Sequence, residues 1–217
     1  TNFVQKRTFV QPSKYLCAPR LGQPHHDTHP HLLKSSDEIT PGITAAEYAR
    51  RRQDFLRMLP GSTTCLIIPA NPEYYMSNDI PFVYHQYTNL LFLTGFQEPG
   101  AVAVLEKLSE EGDHIFRMFV RPRDPSRELW DGPRCGVENA HLFGAHQAYS
   151  IADLPKVMPD ILMHHQNVWF PSSVNHEITA QLRAMPGAKD FKDPSSHFSL
   201  MRMVKSPSEV RLMRRAA

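Results

Sequence analysis

Hydrophobic positions fall in short blocks between turn residues, some with a helical period and others as near-continuous apolar runs. The first block opens at Thr44, which forms a capping box with Glu47. Tyr48, Phe55 and Leu59 make an apolar stripe, and Arg50, Arg51, Arg52 and Arg57 fall mostly on the solvated face. A helix to about Leu59 is predicted, stopped by Pro60-Gly61. Thr64–Pro69 is continuously apolar and reads as a buried strand. Strands are predicted again at Leu90–Phe96, Ala101–Leu108 and His114–Val120, the last two joined as a hairpin through Ser109–Asp113. A short helix near Val137–Phe143 and a helix from the Ser150/Asp153 box to about Met163 follow. A strand at Asn167–Pro171, with Trp169 in the core, and a helix from Asn175 to about Met185 complete the order. Helices alternating with strands around a central hairpin predict an α/β domain, a mixed β-sheet flanked by helices.

Two segments break this pattern. Asn71–Asn89 is polar-aromatic and nineteen residues long, more than a compact domain needs for a connection, and long loops of this kind tend to carry function. Val120–Arg134 holds four arginines, three acids, three prolines and one of the two tryptophans of the chain, Trp130. Arginine beside carboxylates and an indole is the make-up of a recognition surface. It is equally the make-up of a salt-bridged loop with Trp130 tucked against its own domain, and composition leaves both readings open.

Composition narrows the function classes. At 217 residues with 41% hydrophobic side chains the chain is globular, and 24 basic against 22 acidic residues give a net charge of +2. That balance offers no bulk attraction for nucleic acid or a membrane surface, and no apolar run is long enough to span a bilayer. Cys17, Cys65 and Cys135 lie far apart, which suits neither a disulfide framework nor a zinc ribbon. Residues 1–40 read as a basic, His- and Pro-rich arm, extended from Gln11 to Pro41. Lys6, Arg7, Lys14 and Arg20 occur before the first acidic residue, as in the remnant of a mitochondrial presequence or in a plain basic arm. His25, His26, His29 and His31 suggest a metal site, but Pro24 and Pro30 interrupt them and no helix sets an i, i+4 pair, so surface or docking roles are expected. No nucleophile elbow, His-Glu-x-x-His helix, phosphate loop or carboxylate cluster is present, so the chain by itself does not read as catalytic. Ser206-Pro207-Ser208-Glu209 starts a helix strongly eleven residues before Ala217, and a continuation is expected.

Three stretches resemble a known family. Asn71–Gln86 (Asn-Pro-Glu-Tyr-Tyr-Met-Ser-Asn-Asp-Ile-Pro-Phe-Val-Tyr-His-Gln), Leu93–Pro99 (Leu-Thr-Gly-Phe-Gln-Glu-Pro) and Arg123–Arg134 (Arg-Asp-Pro-Ser-Arg-Glu-Leu-Trp-Asp-Gly-Pro-Arg) are similar to the N-terminal domain of aminopeptidase P, the Xaa-Pro aminopeptidases. Leu21–Pro24 and Thr28–Leu33 resemble its mitochondrial eukaryotic branch, and Lys205–Ala216 the passage into its catalytic domain. The resemblance implies a creatinase/aminopeptidase P N-terminal fold, ribonuclease-H-like, over residues 41–204, with residues 205–217 leading into a pita-bread catalytic domain. The family removes an N-terminal residue preceding proline with two manganese ions held by two Asp, a His and two Glu. None of these ligands falls on this chain, so no cofactor is expected here and the chain alone is expected to be inactive. The resemblance further implies partners: its own C-terminal catalytic domain, further copies of itself, and proline-containing peptides. By motif, Trp130 and Asp79 correspond to residues at the substrate entrance of a neighbouring subunit. A location in mitochondria, or otherwise in the cytoplasm, is expected. A freestanding interaction module without peptidase activity is the alternative.

Overall fold

The computed structural model describes residues 20–171, 174, 176–188 and 190–217. The presequence-like stretch up to Pro19, Cys17 and the expected helix start at Asn175 lie outside the described residues. Five strands form the central sheet: β3 (Thr64–Pro69), β4 (Val102–Lys107), β5 (His114–Val120), β6 (Gln147–Ser150) and β7 (Asn167–Trp169). Their order is β6-β5-β4-β3-β7, with β3/β4 and β4/β5 antiparallel and the outer pairs β5/β6 and β3/β7 parallel. A two-stranded ribbon, β1 (Glu38–Thr40) with β2 (Ile43–Thr44), leads into α1 (Ala45–Met58). The remaining helices are α2 (Thr88–Thr94), α3 (Pro125–Asp131), α4 (Leu154–His164), α5 (His176–Ala184), α6 (Ser195–Met203) and α7 (Pro207–Ala216).

The central strands are apolar on both faces because both faces are covered. Leu66 and Ile68 of β3, Ala103 and Leu105 of β4, and Phe116 and Met118 of β5 join one core with α1, α2 and Phe198 of α6. The alternate residues Cys65, Ile67, Val102, Val104 and Phe119 pack against Leu154, Met158 and Leu162 of α4 and Leu182 of α5. Phe55, fully buried, stacks on Phe198 at 4.0 Å, so α1 and α6 are held ring to ring. On the α4 side the sheet carries an ion pair between Glu106 and Arg117, both largely shielded from water.

The first helix starts as expected, Thr44 accepting from the Glu47 amide. The β4/β5 hairpin, the β7 strand, the buried Trp169 and the Ser206/Glu209 box also follow the sequence. Other elements differ. Leu90–Phe96, expected as a strand, is largely the helix α2, because a short apolar run has no decisive period and Gly95, at φ 71°, caps a helical turn by donating to the Leu91 carbonyl. A Cβ at Gly95 would lie 2.7 Å from Ile39 and 2.8 Å from Tyr48, so this cap is also where α2 closes on the ribbon and α1. The short helix near Val137 is only a 3-10 turn at Ala140–Phe143, and β6 and α6 come from stretches with too few apolar positions to show a period. Residues 20–40 are not an extended arm. Leu21 and Leu33 are buried, and Gln23 donates to the Gly95 carbonyl while accepting from the Gln97 amide, so this segment is stitched onto the α2 turn. The α7 helix docks on α1 through Ser206 to Glu47 at 2.7 Å and Arg51 to Glu209 at 3.4 Å.

Candidate functional site

The two segments singled out in the sequence leave the same end of the sheet, from β3 and β5 on either side of β4, and are braced at their feet. Gln86 holds the first: its side-chain oxygen accepts from the Asn71 and Tyr87 amides and from the Tyr84 hydroxyl, and its Nε2 donates to the Glu98 carbonyl. Burial pushes the Tyr84 phenol well above its ordinary value, so it stays a neutral donor, here also to the Asn71 carbonyl. Beyond this foot the chain folds into a small hairpin tip, with Phe82 donating to the Tyr74 carbonyl at 2.9 Å and Met76 to Ile80 at 2.7 Å. Tyr74, Tyr75, Met76, Ile80, Phe82 and Val83 are all exposed on this tip. Asp79 lies at its turn, exposed, and accepts from the Ser77 hydroxyl at 3.3 Å.

The second segment is not a loop throughout. Asp124 accepts from the Ser126 and Arg127 amides, Pro125 begins the helix, and Gly132, at φ 85°, ends it, giving the two-turn α3. That signal was legible in Asp-Pro-Ser-Arg-Glu and was masked by the density of Pro and Gly around it. Ion pairs hold α3 in place. Arg123 makes two contacts to Glu128, at 3.2 and 2.9 Å, and its charge and hydrogen bond hold that carboxyl below the usual range. Arg127 and Arg134 both reach Asp131. Trp130 is 84% exposed and Leu129 79%. The segment is therefore salt-bridged, and its indole faces solvent instead of being tucked against its own domain.

Arg121, at the exit of β5, lies 3.6 Å from Glu73 and ties the two segments together. Among the described residues no hydrogen bond, ion pair or ring contact joins Asp79 to Trp130; the structure puts them on adjoining projections without direct contact. A cleft of about 440 Å³ between α1, α2 and α7 is lined by Tyr48, Arg51, Phe92, Arg202 and Leu212. Its arginines are engaged within the protein, Arg51 with Glu47 and Glu209, and Arg202 with Asn89.

Among the described residues no group of three or more His, Cys, Asp or Glu side chains converges as metal ligands. His25, His26, His29 and His31 are spread along a turn in which His26 pairs with its neighbour Asp27 and His29 with Thr28. Among the described residues, then, no donor set fits a pair of manganese ions. Cys65 and Cys135 are buried, which pushes both thiols up and leaves them unreactive. No helix among the described residues is long and apolar enough to cross a membrane.

A family model described as the aminopeptidase P N-terminal domain matches residues 48–169. Xaa-Pro aminopeptidase 3 of Mus musculus is 37% identical over 230 residues, covering 97% of this chain and 45% of that protein. The mitochondrial intermediate cleaving peptidase 55 of Arabidopsis thaliana is 33% identical over 207 residues, covering 91% of this chain and 39% of that protein. A solved structure of Escherichia coli aminopeptidase P with the inhibitor Pro-Leu superposes with a TM-score of 0.73 at 27% identity, over 80% of this chain and 42% of that one. The chain thus spans less than half the length of these relatives, and the mixed sheet with its flanking helices is the fold they share with it. By the residues it matches, this chain belongs to the aminopeptidase P N-terminal domain family.

Proposed function

We propose that this chain is the non-catalytic N-terminal domain of a metal-dependent Xaa-Pro aminopeptidase, supplying an assembly surface and substrate-entrance residues to a catalytic site made elsewhere. The observation that carries the reading is Trp130, an indole 84% exposed on a helix held rigid by ion pairs. An indole presented this way is a wall for a proline ring or an anchor in a subunit contact. Asp79, on the adjoining aromatic tip, offers a carboxylate to a peptide α-amino group or a partner arginine. The partners proposed are the catalytic domain, into which α7 leads from residues 205–217, further copies of the chain, and proline-containing peptides. A pair of manganese ions would be held by residues of that catalytic domain, where it would supply activated water for hydrolysis. The mitochondrial name of the Arabidopsis relative and the basic residues before His25 support a mitochondrial location.

Two measurements test this. Sedimentation at several concentrations is expected to show self-association of the chain, and a monomer at every concentration refutes the assembly role. Incubation with an Xaa-Pro-Xaa peptide and manganese is expected to release no amino acid. Sustained turnover by the chain alone refutes the non-catalytic reading.

A further inference from the structure

Glu98 is 4% exposed, yet it is in contact with three separate parts of the chain. Its Oε1 accepts from the Gly22 amide at 2.9 Å and from the Cys135 amide at 2.8 Å. Its backbone carbonyl accepts from Gln86 Nε2 at 3.0 Å. Gly22 belongs to the stitched N-terminal segment, Gln86 is the foot of the Asp79 tip, and Cys135 is the residue at which the Trp130 segment re-enters the core. Burial raises the pKa of this carboxyl, and the Gly22 and Cys135 amides and the charges of Arg121 and Arg134, the arginines that bound that segment, only partly oppose it; the buried Nε atoms of both arginines have no hydrogen-bond partner. A carboxylate buried here compensates two guanidinium groups that the ion pairs to Glu73 and Asp131 only partly satisfy.

We infer that Glu98 is the positioning residue for the Trp130 projection, and that it makes residues 21–23 part of that projection's support. This rests on Trp130 acting at a substrate entrance, but the bracing itself is separable from that role. The fit at the junction is tight. A Cβ on Gly22 would sit 2.7 Å from Glu98 Cδ and 2.8 Å from its Cγ and Oε1, so any side chain there displaces the carboxyl or the segment. Gln23 fixes the same segment from its other side, through Gly95 and Gln97, so a disturbance at Gly22 is directed into Glu98 instead of dissipating along the chain. No chemistry is asked of Glu98. It determines where Cys135, and with it the C-terminal end of the Trp130 segment, is held.

Amide hydrogen exchange reads this directly. Glu98→Ala removes the acceptor of both amides and is expected to speed exchange at Gly22 and Cys135 together by at least about tenfold, the loss of charge-assisted hydrogen bonds at a buried site. Glu98→Gln keeps an acceptor oxygen in place but not the charge, and is expected to speed both rates by less than Glu98→Ala does. Gly22→Ala perturbs the junction from the other side and is expected to speed Cys135 exchange although residue 22 lies far from it in sequence. This variant carries the test if Glu98→Ala does not fold. Unchanged Cys135 exchange in the folded variants overturns the inference. In the peptidase carrying this domain, Glu98→Ala is expected to lower kcat/KM in the native background and to add nothing to Trp130→Ala, because it acts through Trp130. An equal further loss in the Trp130→Ala background also overturns it. If Trp130→Ala leaves kcat/KM unchanged while the exchange effects hold, the entrance role of Trp130 falls and the bracing by Glu98 stands.

Discussion

Replacing Trp130 with alanine separates a residue that holds the fold from one that faces a partner. A tryptophan side chain carries on the order of 200 Å² of surface, and 84% exposure leaves about 170 Å² of it uncovered in the single chain. Truncation therefore removes almost no burial, and folding stability is expected to stay within about 0.5 kcal/mol of the native value. Covering that surface in an assembly yields at most about 4 kcal/mol at about 25 cal/mol per Å². Truncations at well-packed contact centres cost roughly 2 to 4 kcal/mol, or about a 30- to 1000-fold weaker association. Urea unfolding measures the first quantity cleanly, because in Trp130→Ala the remaining indole is the buried Trp169. Sedimentation equilibrium measures the second. A stability loss above about 1 kcal/mol would show that the indole packs against its own domain. An unchanged association constant, together with unchanged peptidase kinetics, would show that it faces no partner.

Phe55→Ala is expected to cost about 3 to 5 kcal/mol in urea melts, because it removes a fully buried ring stacked on Phe198 and opens a gap between α1 and α6. A cost below about 1 kcal/mol would mean that α6 is not anchored there. Acid should loosen α7 before the sheet. Burial of Glu47 raises its pKa, but hydrogen bonds from Ser206 and Ser208 and the charge of Arg51 outweigh it and hold the carboxyl below 4.5. Its contribution is complete above the unfolded value and lost as pH falls through the lower, folded value. The protection of α7 amides, taken relative to their intrinsic exchange rates at each pH, is thus expected to fall on acidification in that range, and Glu47→Gln is expected to remove that pH dependence. An α7 equally protected at neutral and strongly acid pH would refute this role of Glu47.

Sequence alone determined the elements whose information is local. Thr44 with Glu47 and Ser206 with Glu209 are caps read from neighbours within one turn: the second formed as a full box, and the first as an N-cap only, with the Glu47 side chain taken up by Arg51 and Ser206. β3, β4 and β5 were legible because strands covered on both faces need continuous apolar runs, and the family motifs around Trp130 and Asp79 picked out the two projections. What only the tertiary structure decided depends on partners distant in the chain. Leu90–Thr94 could serve as strand or helix by its apolar content, and the Gly95 turn fitting against Ile39 and Tyr48 settled it as helix. Residues 20–40 look like an arm because the backbone groups that bind Gln23 lie more than seventy residues away. Glu98 reads in sequence as one acid in a motif. Its place under the Trp130 projection emerges only when Gly22 and Cys135, 76 and 37 residues from it, bring their amides to one oxygen. Local hydrogen bonds are written in adjacent residues, whereas a buried acceptor shared by remote amides exists only once the chain has closed around it.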